Sequence, residues 1–298
     1  VELRRFLLII TSVLIIALIL SVWFFPSNED FRVNNPFWNG IRDIEADYHI
    51  ETLDSLDNFP SSPNEVTLIT IPYREYSLIE LQQLYRFVSR GGRLIVADDY
   101  GHGNQILEYL GIEVRFTGQM LLDPLVNYKN KYFPRVIHLK SDPLTANTDN
   151  LVFNHATSLS NINAENAVAV SSPFSFLDSN NDGARNEGEP TGPLPVISRH
   201  KMGSGEVISI SDPSLFINSM DNIAGNGEFI QNIADTSPTL FIDQSHLASS
   251  DLHRTRSWLQ QARSLLSTSI GTVGLILAVI IAALIPIWHL RKKPTVEN

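Results

Sequence analysis

There is no cysteine among the 298 residues. That excludes disulfides, thiolate metal sites and thiol nucleophiles. A domain of this length buries an adequate core without such cross-links. Basic residues are also scarce, with 22 Lys and Arg against 32 Asp and Glu and a net charge of −10. That balance argues against binding nucleic acid through a basic surface. The chain carries no G-x-G-x-x-G, P-loop or G-x-S-x-G pattern, since the GSG at residues 203–205 lacks the spacing of a nucleophile elbow. Internal repeats and long low-complexity linkers are missing too. Only 18% of residues are charged while 43% are hydrophobic, more apolar than is usual for a soluble domain of this size.

That apolar excess is concentrated at the two ends. Residues 6–25, FLLIITSVLIIALILSVWFF, and residues 270–290, IGTVGLILAVIIAALIPIWHL, are both uncharged. At about 1.5 Å of rise per residue each can cross a hydrocarbon core of about 30 Å as a helix. Arg4 and Arg5 precede the first run, and Arg291, Lys292 and Lys293 follow the second. The positive-inside rule then predicts two cytoplasmic termini and an extracytoplasmic centre. Arg254, Arg256 and Arg263 stand on the outer side against this bias, although long domains translocate largely regardless of charge. The first run is expected to be an uncleaved anchor: it exceeds a signal-peptide core, and SVWFF offers no small-x-small cleavage site. A cleaved signal peptide is the rival reading. The expected layout is a cytoplasmic stub at residues 1–5, spans at 6–25 and 268–290, an outer domain at 26–249, a juxtamembrane amphipathic helix at 250–267 and a tail at 291–298. The outer part holds 30 acids against 17 Lys and Arg, a net charge of about −13.

Within the outer domain, VTLITIP at residues 66–72 reads as a buried strand. SLIELQQLYRFVSRGG follows with Ser77 as N-cap, Leu78, Leu81, Leu84, Tyr85 and Val88 at helical spacing, and Gly91 and Gly92 as the stop. RLIVAD is the next strand, NQILEYLG a short helix and IEVRF a strand. This alternation predicts an α/β domain with a mainly parallel sheet covered by helices. Residues 117–167 show no sustained period. HKMGSGEVISIS reads as a hairpin, DPSLFINSMDN as a helix capped by Asp212, FIQNIAD as a helix and TLFID as the last strand. In SDLHRTRSWLQQARSLLS, Leu252, Leu259, Ala262 and Leu266 share one helical face.

RGGRLIVADDYG paired with GSGEVISISDPSLFIN, then TLFIDQSH, and the entry NNPFWNGIRDI, resemble a family of prokaryotic membrane proteins. In that family the soluble part is a class I glutamine-amidotransferase-like (flavodoxin-like) domain. The resemblance covers residues 31–246 and implies that fold. It also implies association with MoxR-type AAA ATPases and von Willebrand A-like proteins in an envelope assembly. True glutamine amidotransferases attack through a cysteine, which this chain lacks. The turn DDYGHG after RLIVA also offers no serine or threonine, so that activity is excluded.

Open parallel sheets bind ligands beyond the carboxyl ends of their strands. The polar residues expected there are Asp98, Asp99, Tyr100 and His102, then Asp212, then Asp243 and His246. Converging Asp and His could hold a metal or act as acid and base, as in a hydrolase of envelope glycans or peptides. The competing expectation is structural: Asp99 and Asp212 as helix caps, Asp243 and His246 satisfying nearby backbone. The leading functional expectation is a non-catalytic binding or assembly module of the envelope. Phe37 and Trp38 in NPFWNG are expected to pack under the sheet, with Asn39 capping the next helix; an exposed recognition surface is the alternative.

DSNNDGARNEGEP, residues 178–190, meets the calcium-loop pattern D-x-[DN]-x-[DN]-G-x5-E. Asp178, Asn180 and Asp182 supply side-chain oxygens, Ala184 a carbonyl, Asn186 a direct or water-bridged contact and Glu189 two oxygens. Gly183 permits the sharp turn at the sixth position. Arg185 replaces the apolar residue that pairs one EF-hand with another, and Pro190 prevents an exiting helix. The expectation is a Ca2+ clasp of extracellular-type affinity, about 0.1–1 mM, that orders an insertion. A metal-free Asx-rich turn is the alternative.

Overall fold

The computed structural model describes residues 2–24, 26–58, 63–274 and 277. It separates into two units, residues 26–248 and the two terminal segments outside them.

In the first unit the central sheet takes β1 (Glu51–Leu53), β2 (Val66–Thr70) and β3 (Arg93–Ala97) from the first half of the domain. Three small ladders follow: β4 (Arg115–Phe116) with β9 (Leu159–Ser160), β5 (Met120–Leu122) with β11 (Phe176–Asp178), and β6 (Arg135–Val136) with β8 (Leu151–Val152). The remaining sheet strands are β7 (His138–Leu139), β10 (Ala167–Val170), β12 (Pro195–Met202), β13 (Gly205–Ile210) and β14 (Thr239–Asp243). Their spatial order is β1-β14-β2-β3-β13-β12-β10-β7. The run from β1 to β13 is parallel, and β12, β10 and β7 are antiparallel additions. The expected α/β class and mainly parallel sheet are both present.

β2 is buried at all five positions, which is why it reads as a continuous apolar run without alternation. Its side chains still alternate between two cores. Leu68, Leu94, Val96 and Val207 pack under α3 (Leu78–Ser89) and α4 (Gly103–Tyr109). Ile69, Ile95, Ile208 and Ile210 pack under α5 (Asn226–Asp235) and α2 (Arg42–Asp47), together with Leu121, Val152 and Phe153 of the insertion. Phe229 of α5 is fully buried, and burial of such a side chain contributes about 1.5–3 kcal/mol.

Several local expectations change. α3 starts in a full capping box, with Ser77 accepting from the Glu80 N–H and the Glu80 carboxylate accepting from the Ser77 N–H. Its buried face is Leu81, Leu84, Phe87 and Val88, while Leu78 and Tyr85 are exposed. Leu78 falls in the first turn, ahead of where the helix meets the sheet. DPSLFINSMDN forms only a 3-10 turn, Pro213–Phe216, with Asp212 capping it through the Ser214 N–H at 2.8 Å. Its Asn218 and Ser219 backbone N–H groups are drawn off to the carbonyls of Gly40 and Trp38, which leaves no helical ladder to continue. The MGSG hairpin forms as read, with Met202 opposite Gly205.

In the second unit, Leu3–Phe24 of α1 (Glu2–Phe24) is long and apolar enough to cross a membrane, or to act as a signal sequence. The span expected at residues 270–290 lies mostly outside the described residues. α6 (Asp251–Ser267) packs beside α1. The Arg256 guanidinium donates to the Val22 carbonyl at 3.2 and 3.3 Å, and Arg263 lies over the Trp23 ring at 5.1 Å. Two of the arginines that ran against the charge bias thus serve the end of α1, where helix carbonyls lack intrahelical partners. On the face predicted to be apolar, Leu259 and Ala262 are half-buried and Leu266 is exposed.

Candidate functional site

The carboxyl ends of β2, β3, β13 and β14 bring the predicted polar residues to one edge of the sheet, but into two separate groups. The first forms around Asp243, the last residue of β14. One carboxylate oxygen accepts from the Ser245 N–H at 2.8 Å and the Ser245 hydroxyl at 2.6 Å. The other faces His246 Nδ1 at 2.6 Å, the Tyr76 hydroxyl at 3.0 Å and the Thr70 hydroxyl at 3.3 Å. His246 Nε2 stands 3.4 Å from a Glu80 carboxylate oxygen, and the Tyr76 ring stacks on the imidazole with centroids 3.6 Å apart. Asp243, His246, Tyr76 and Thr70 are all buried. Burial pushes the Asp243 carboxyl up, but the hydrogen bond and charge of His246 outweigh it and hold the group below its ordinary value. Glu80 is held low in the same way, against partial burial, by the Ser77 hydroxyl and N–H and then by His246.

The second group surrounds the turn after β3. Asp98 accepts from the Gly101 and Gly103 N–H groups, both at 2.7 Å, and so caps α4 from a distance. A Cβ on Gly101 would lie 2.5 Å from the Pro72 carbonyl oxygen, and one on Gly103 would lie 2.6 Å from Asp98 Oδ2. DDYGHG is therefore a cradle for a carboxylate, and its glycines are required by close approach. Burial pushes the Asp98 carboxyl up to about 6 against those two N–H donors. Asp212, fully buried after β13, accepts from the Asn154 N–H at 2.6 Å and the Ser214 N–H at 2.8 Å. Burial raises it to about 8. Asp99 accepts from the Tyr100 N–H at 2.7 Å, and burial raises its carboxyl too. Tyr73 is raised by burial first and then by the charges of Asp99, Asp98, Asp30 and Asp212. The Tyr100 hydroxyl donates to the His155 carbonyl at 2.9 Å.

His102 stands at the start of α4, where its backbone N–H donates to the Pro72 carbonyl; its side chain caps nothing. Among the described residues no hydrogen bond or ion pair links Asp98, Asp99, His102 or Asp212 to Asp243 or His246. Both imidazole nitrogens of His246 face carboxylates, so the ring has no free nitrogen with which to move a proton on a bound molecule. Asp98 and Asp212 are engaged by backbone N–H groups. The edge is chemically suited to holding turns and helix starts in place. Sequence reading overlooked Tyr76 and Glu80, although the S-x-x-E of SLIE was a capping-box signal for Glu80.

The calcium-pattern loop leaves β11 at Asp178. Gly183 (φ +73°) and Asn181 (φ +59°) turn the chain. Asp178 accepts from the Asp182 N–H at 3.2 Å and the Gly183 N–H at 2.8 Å. Asp182 accepts from the Ala184 N–H and from the Asn180 and Asn186 amides, and these bonds, the Ala184 one first, hold its carboxyl below the ordinary value. Glu189 closes the ring, accepting from the Ser179 and Asn186 N–H groups, both at 2.9 Å. Lys131 donates to the Gly183 carbonyl from outside. Three carboxylates, two amide oxygens and the Ala184 carbonyl are the hard oxygen donors calcium takes. Among the described residues no three His, Cys, Asp or Glu side chains gather closely enough to hold a metal by themselves, so the Asn and carbonyl oxygens are needed to complete such a set.

The entry loop differs from expectation. Phe37 is 41% and Trp38 66% exposed, so neither packs under the sheet. Asn39 does not cap α2, whose Asp43 N–H is taken by the Asn218 side chain at 3.0 Å.

No curated protein matches the sequence. Among solved structures, the mmIFT52 N-terminal domain aligns with a TM-score of 0.50 at 13% identity, over 70% of this chain and 93% of that one. This likeness concerns the fold alone. The beta-galactosidase from Bacillus circulans sp. alkalophilus aligns with a TM-score of 0.34 at 14% identity, over 57% of this chain and 22% of that one. The cytoplasmic protein STM1381 from Salmonella typhimurium LT2 aligns with a TM-score of 0.37 at 12% identity, over 64% of this chain and 78% of that one. Both scores are too low to carry an argument. The profile of a domain of unknown function, DUF4350, matches residues 39–234, from the entry loop to the last turn of α5, and the chain therefore belongs to the DUF4350 family.

Proposed function

We propose that this protein is a non-catalytic binding or assembly module of the cell envelope. The helix Leu3–Phe24 holds it in the membrane, with both termini cytoplasmic and the α/β domain outside. The observation that carries this reading is the state of the carboxyl edge. Asp243 meets five donors, both nitrogens of His246 face carboxylates, and Asp98 and Asp212 bind backbone N–H groups. Catalysis needs a carboxylate or imidazole presented to substrate, and here Asp98, Asp212, Asp243 and His246 are buried and each is engaged by neighbouring groups of the protein itself. The resemblance to a glutamine-amidotransferase-like domain without its cysteine favours the same conclusion. It suggests partners in an envelope complex with a MoxR-type ATPase and von Willebrand A-like proteins. Acidic composition argues against nucleic acid. Calcium at Asp178, Asn180, Asp182, Ala184, Asn186 and Glu189 would order the insertion, as a fixed charge within the loop and not as a reactant.

The test is photo-crosslinking of the full chain in its host membrane, with p-benzoylphenylalanine at position 100, beside Asp99, or at position 85 on α3. The expected result is a discrete protein adduct from position 100 that position 85 does not give. Failure of position 100 to give any adduct would overturn the binding reading. Hydrolysis of envelope glycan or peptide that is lost in His246→Gln would replace it with an enzymatic one.

A further inference from the structure

The loop N-P-F-W-N-G spends many hydrogen bonds on holding two aromatic side chains in solvent. Asn35 is fully buried; its amide donates to the Glu29 carbonyl at 2.7 Å and to Asn39 Oδ1 at 3.0 Å, and its Oδ1 accepts from the Phe37 N–H at 2.8 Å. The Asn218 amide holds the Phe37 carbonyl at 2.8 Å, and the Ser219 N–H holds the Trp38 carbonyl at 3.1 Å. A Cβ on Gly40 would meet the Asn35 carbonyl oxygen at 2.0 Å, so the turn closes only around glycine. The backbone is fixed, yet Trp38 is 66% and Phe37 41% exposed. Exposed aromatics on a pre-ordered turn are ready to dock, because little conformational entropy remains to be lost.

Where they dock follows from where the chain enters and leaves this domain. The Arg32 carbonyl accepts from the Asn35 and Ile41 N–H groups and so forms the base of the loop. The Arg32 guanidinium donates to the Gln244 carbonyl at 2.7 Å and the Ala248 carbonyl at 3.0 Å, and Ala248 is the last residue of the domain. On the entry side, the Asn39 amide donates to the Asn28 carbonyl at 3.1 Å. Asn28 follows the first apolar run by three residues in the sequence. Entry, exit and the Phe37–Trp38 turn are therefore tied together at Arg32 and Asn39. The domain face that holds the two chain ends is the face that carries the aromatics.

From this geometry we infer that Phe37 and Trp38 insert into the headgroup region of the bilayer that α1 crosses. Trp is the side chain best suited to that layer, with an apolar ring and one N–H donor for the lipid's polar groups. Asp30 bonds Asn39, and Glu29 pairs with Arg32 at 3.2 Å. The charged groups tied to the turn, Asp30 and the Glu29–Arg32 pair, sum to a negative charge, so the contact is expected without anionic lipid. The inference rests on reading Leu3–Phe24 as a membrane span.

The chain has four tryptophans, Trp23, Trp38, Trp258 and Trp288. Two full-length variants keep one each, Trp38 in one and Trp23 in the other, with the rest replaced by Phe. Both are reconstituted into phosphatidylcholine vesicles with lipid brominated near the top of the acyl chains. The expected result is loss of emission from both tryptophans in brominated lipid, with Trp38 shielded from aqueous acrylamide. The difference between the wild-type chain and Trp38→Phe should show the same loss, which guards against misfolding of the multiple variants. Trp38 open to acrylamide and unaffected by bromine, while Trp23 is quenched, overturns the insertion and leaves the anchor standing. Trp38 shielded from both quenchers overturns it in favour of a protein neighbour. Trp23 unaffected by bromine overturns the anchor and the insertion together.

Discussion

His246 Nδ1 stands 2.6 Å from Asp243 Oδ2, and Tyr76 covers the imidazole with ring centroids 3.6 Å apart. Through these contacts the end of β14 is tied to the loop after β2 and to the first turn of α3. Removing one member of a buried pair leaves the other unpaired, at a typical cost of about 3–5 kcal/mol. His246→Ala in the full-length protein should therefore lower the urea midpoint by the equivalent of about 3 kcal/mol or more. A shift below about 1 kcal/mol, the range of exposed pairs, would show that the cluster is not a structural tie.

The same cluster shapes the acid limb of stability. Asp243 and Glu80 are held below their ordinary values of 3.8 and 4.5. Groups lowered by folding stabilise above those values and lose that contribution as pH falls. A melting-temperature profile from pH 5 down to about 2 should fall steeply in the wild-type chain and less steeply in His246→Ala. Equal slopes would remove His246 as the cause.

Asp212 acts in the opposite direction. Its carboxyl is raised from 3.8 to about 8, so the folded state holds a proton that the unfolded chain has lost. Its contribution is fully present below pH 3.8 and declines as pH rises through about 8. Asp98, raised to about 6, adds to the earlier part of that decline. His155 and His200 are lowered by burial and oppose it around their unfolded value of 6.5. From pH 7 to 9 Asp212 remains the dominant one of these groups. Wild-type melting temperature should drop over that window, and Asp212→Asn should be flat there. A decline of equal size in Asp212→Asn would show that another group is responsible.

Addition of calcium should raise the melting temperature of the full chain with a midpoint at about 0.1–1 mM. Asp182→Asn or Glu189→Gln should abolish the shift, because each removes a charged ligand from the loop. Magnesium should have a smaller effect, since it prefers to keep its waters. A wild-type chain indifferent to 5 mM calcium, on the order of several times the upper estimate, would assign the loop to its own Asx hydrogen bonds.

Gly40→Ala should destabilise the entry loop by about 1–3 kcal/mol, the usual cost of forcing atoms into filled space, because the new Cβ meets backbone and not a movable side chain. The urea midpoint reads this directly. Gly111→Ala is the matched control: both residues are glycines, but nothing lies within 4 Å of a Cβ at Gly111 and only its φ of +72° is strained. A smaller effect at Gly40 than at Gly111 would argue that the entry loop is pliant.

The parallel core was legible because β2, β3 and α3 are specified locally. A five-residue buried run, a capping box and a glycine stop each have one favoured conformation. The stretch after Asp212 was misread because its outcome depends on remote partners. Asn218 and Ser219 give their N–H groups to Gly40 and Trp38, more than 170 residues earlier, and the helix suggested by their composition does not form. Phe37 and Trp38 were misplaced for a related reason. Apolarity predicts burial only on average, and here Asn35 fixes a turn that points both outward.

The candidate site shows the same division. Composition alone removed cysteine chemistry and argued against nucleic acid, and length and apolarity alone marked residues 6–25 as able to cross a bilayer. Parallel strand order carried Asp98, Asp212 and Asp243 to one edge, as the alternation of elements required. Whether those carboxylates would be reactive or tied down was only partly encoded locally, as in the Asp212 cap and the DDYGHG turn. It depended on which N–H and O–H donors the folded chain aimed at them: Gly101 and Gly103 at Asp98, Asn154 and Ser214 at Asp212, and Ser245, His246, Tyr76 and Thr70 at Asp243. A carboxylate's chemistry is set by its neighbours in space: five of these residues lie within five positions of the group they bind, while Asn154, Tyr76 and Thr70 come from other elements that only the tertiary fold brings together.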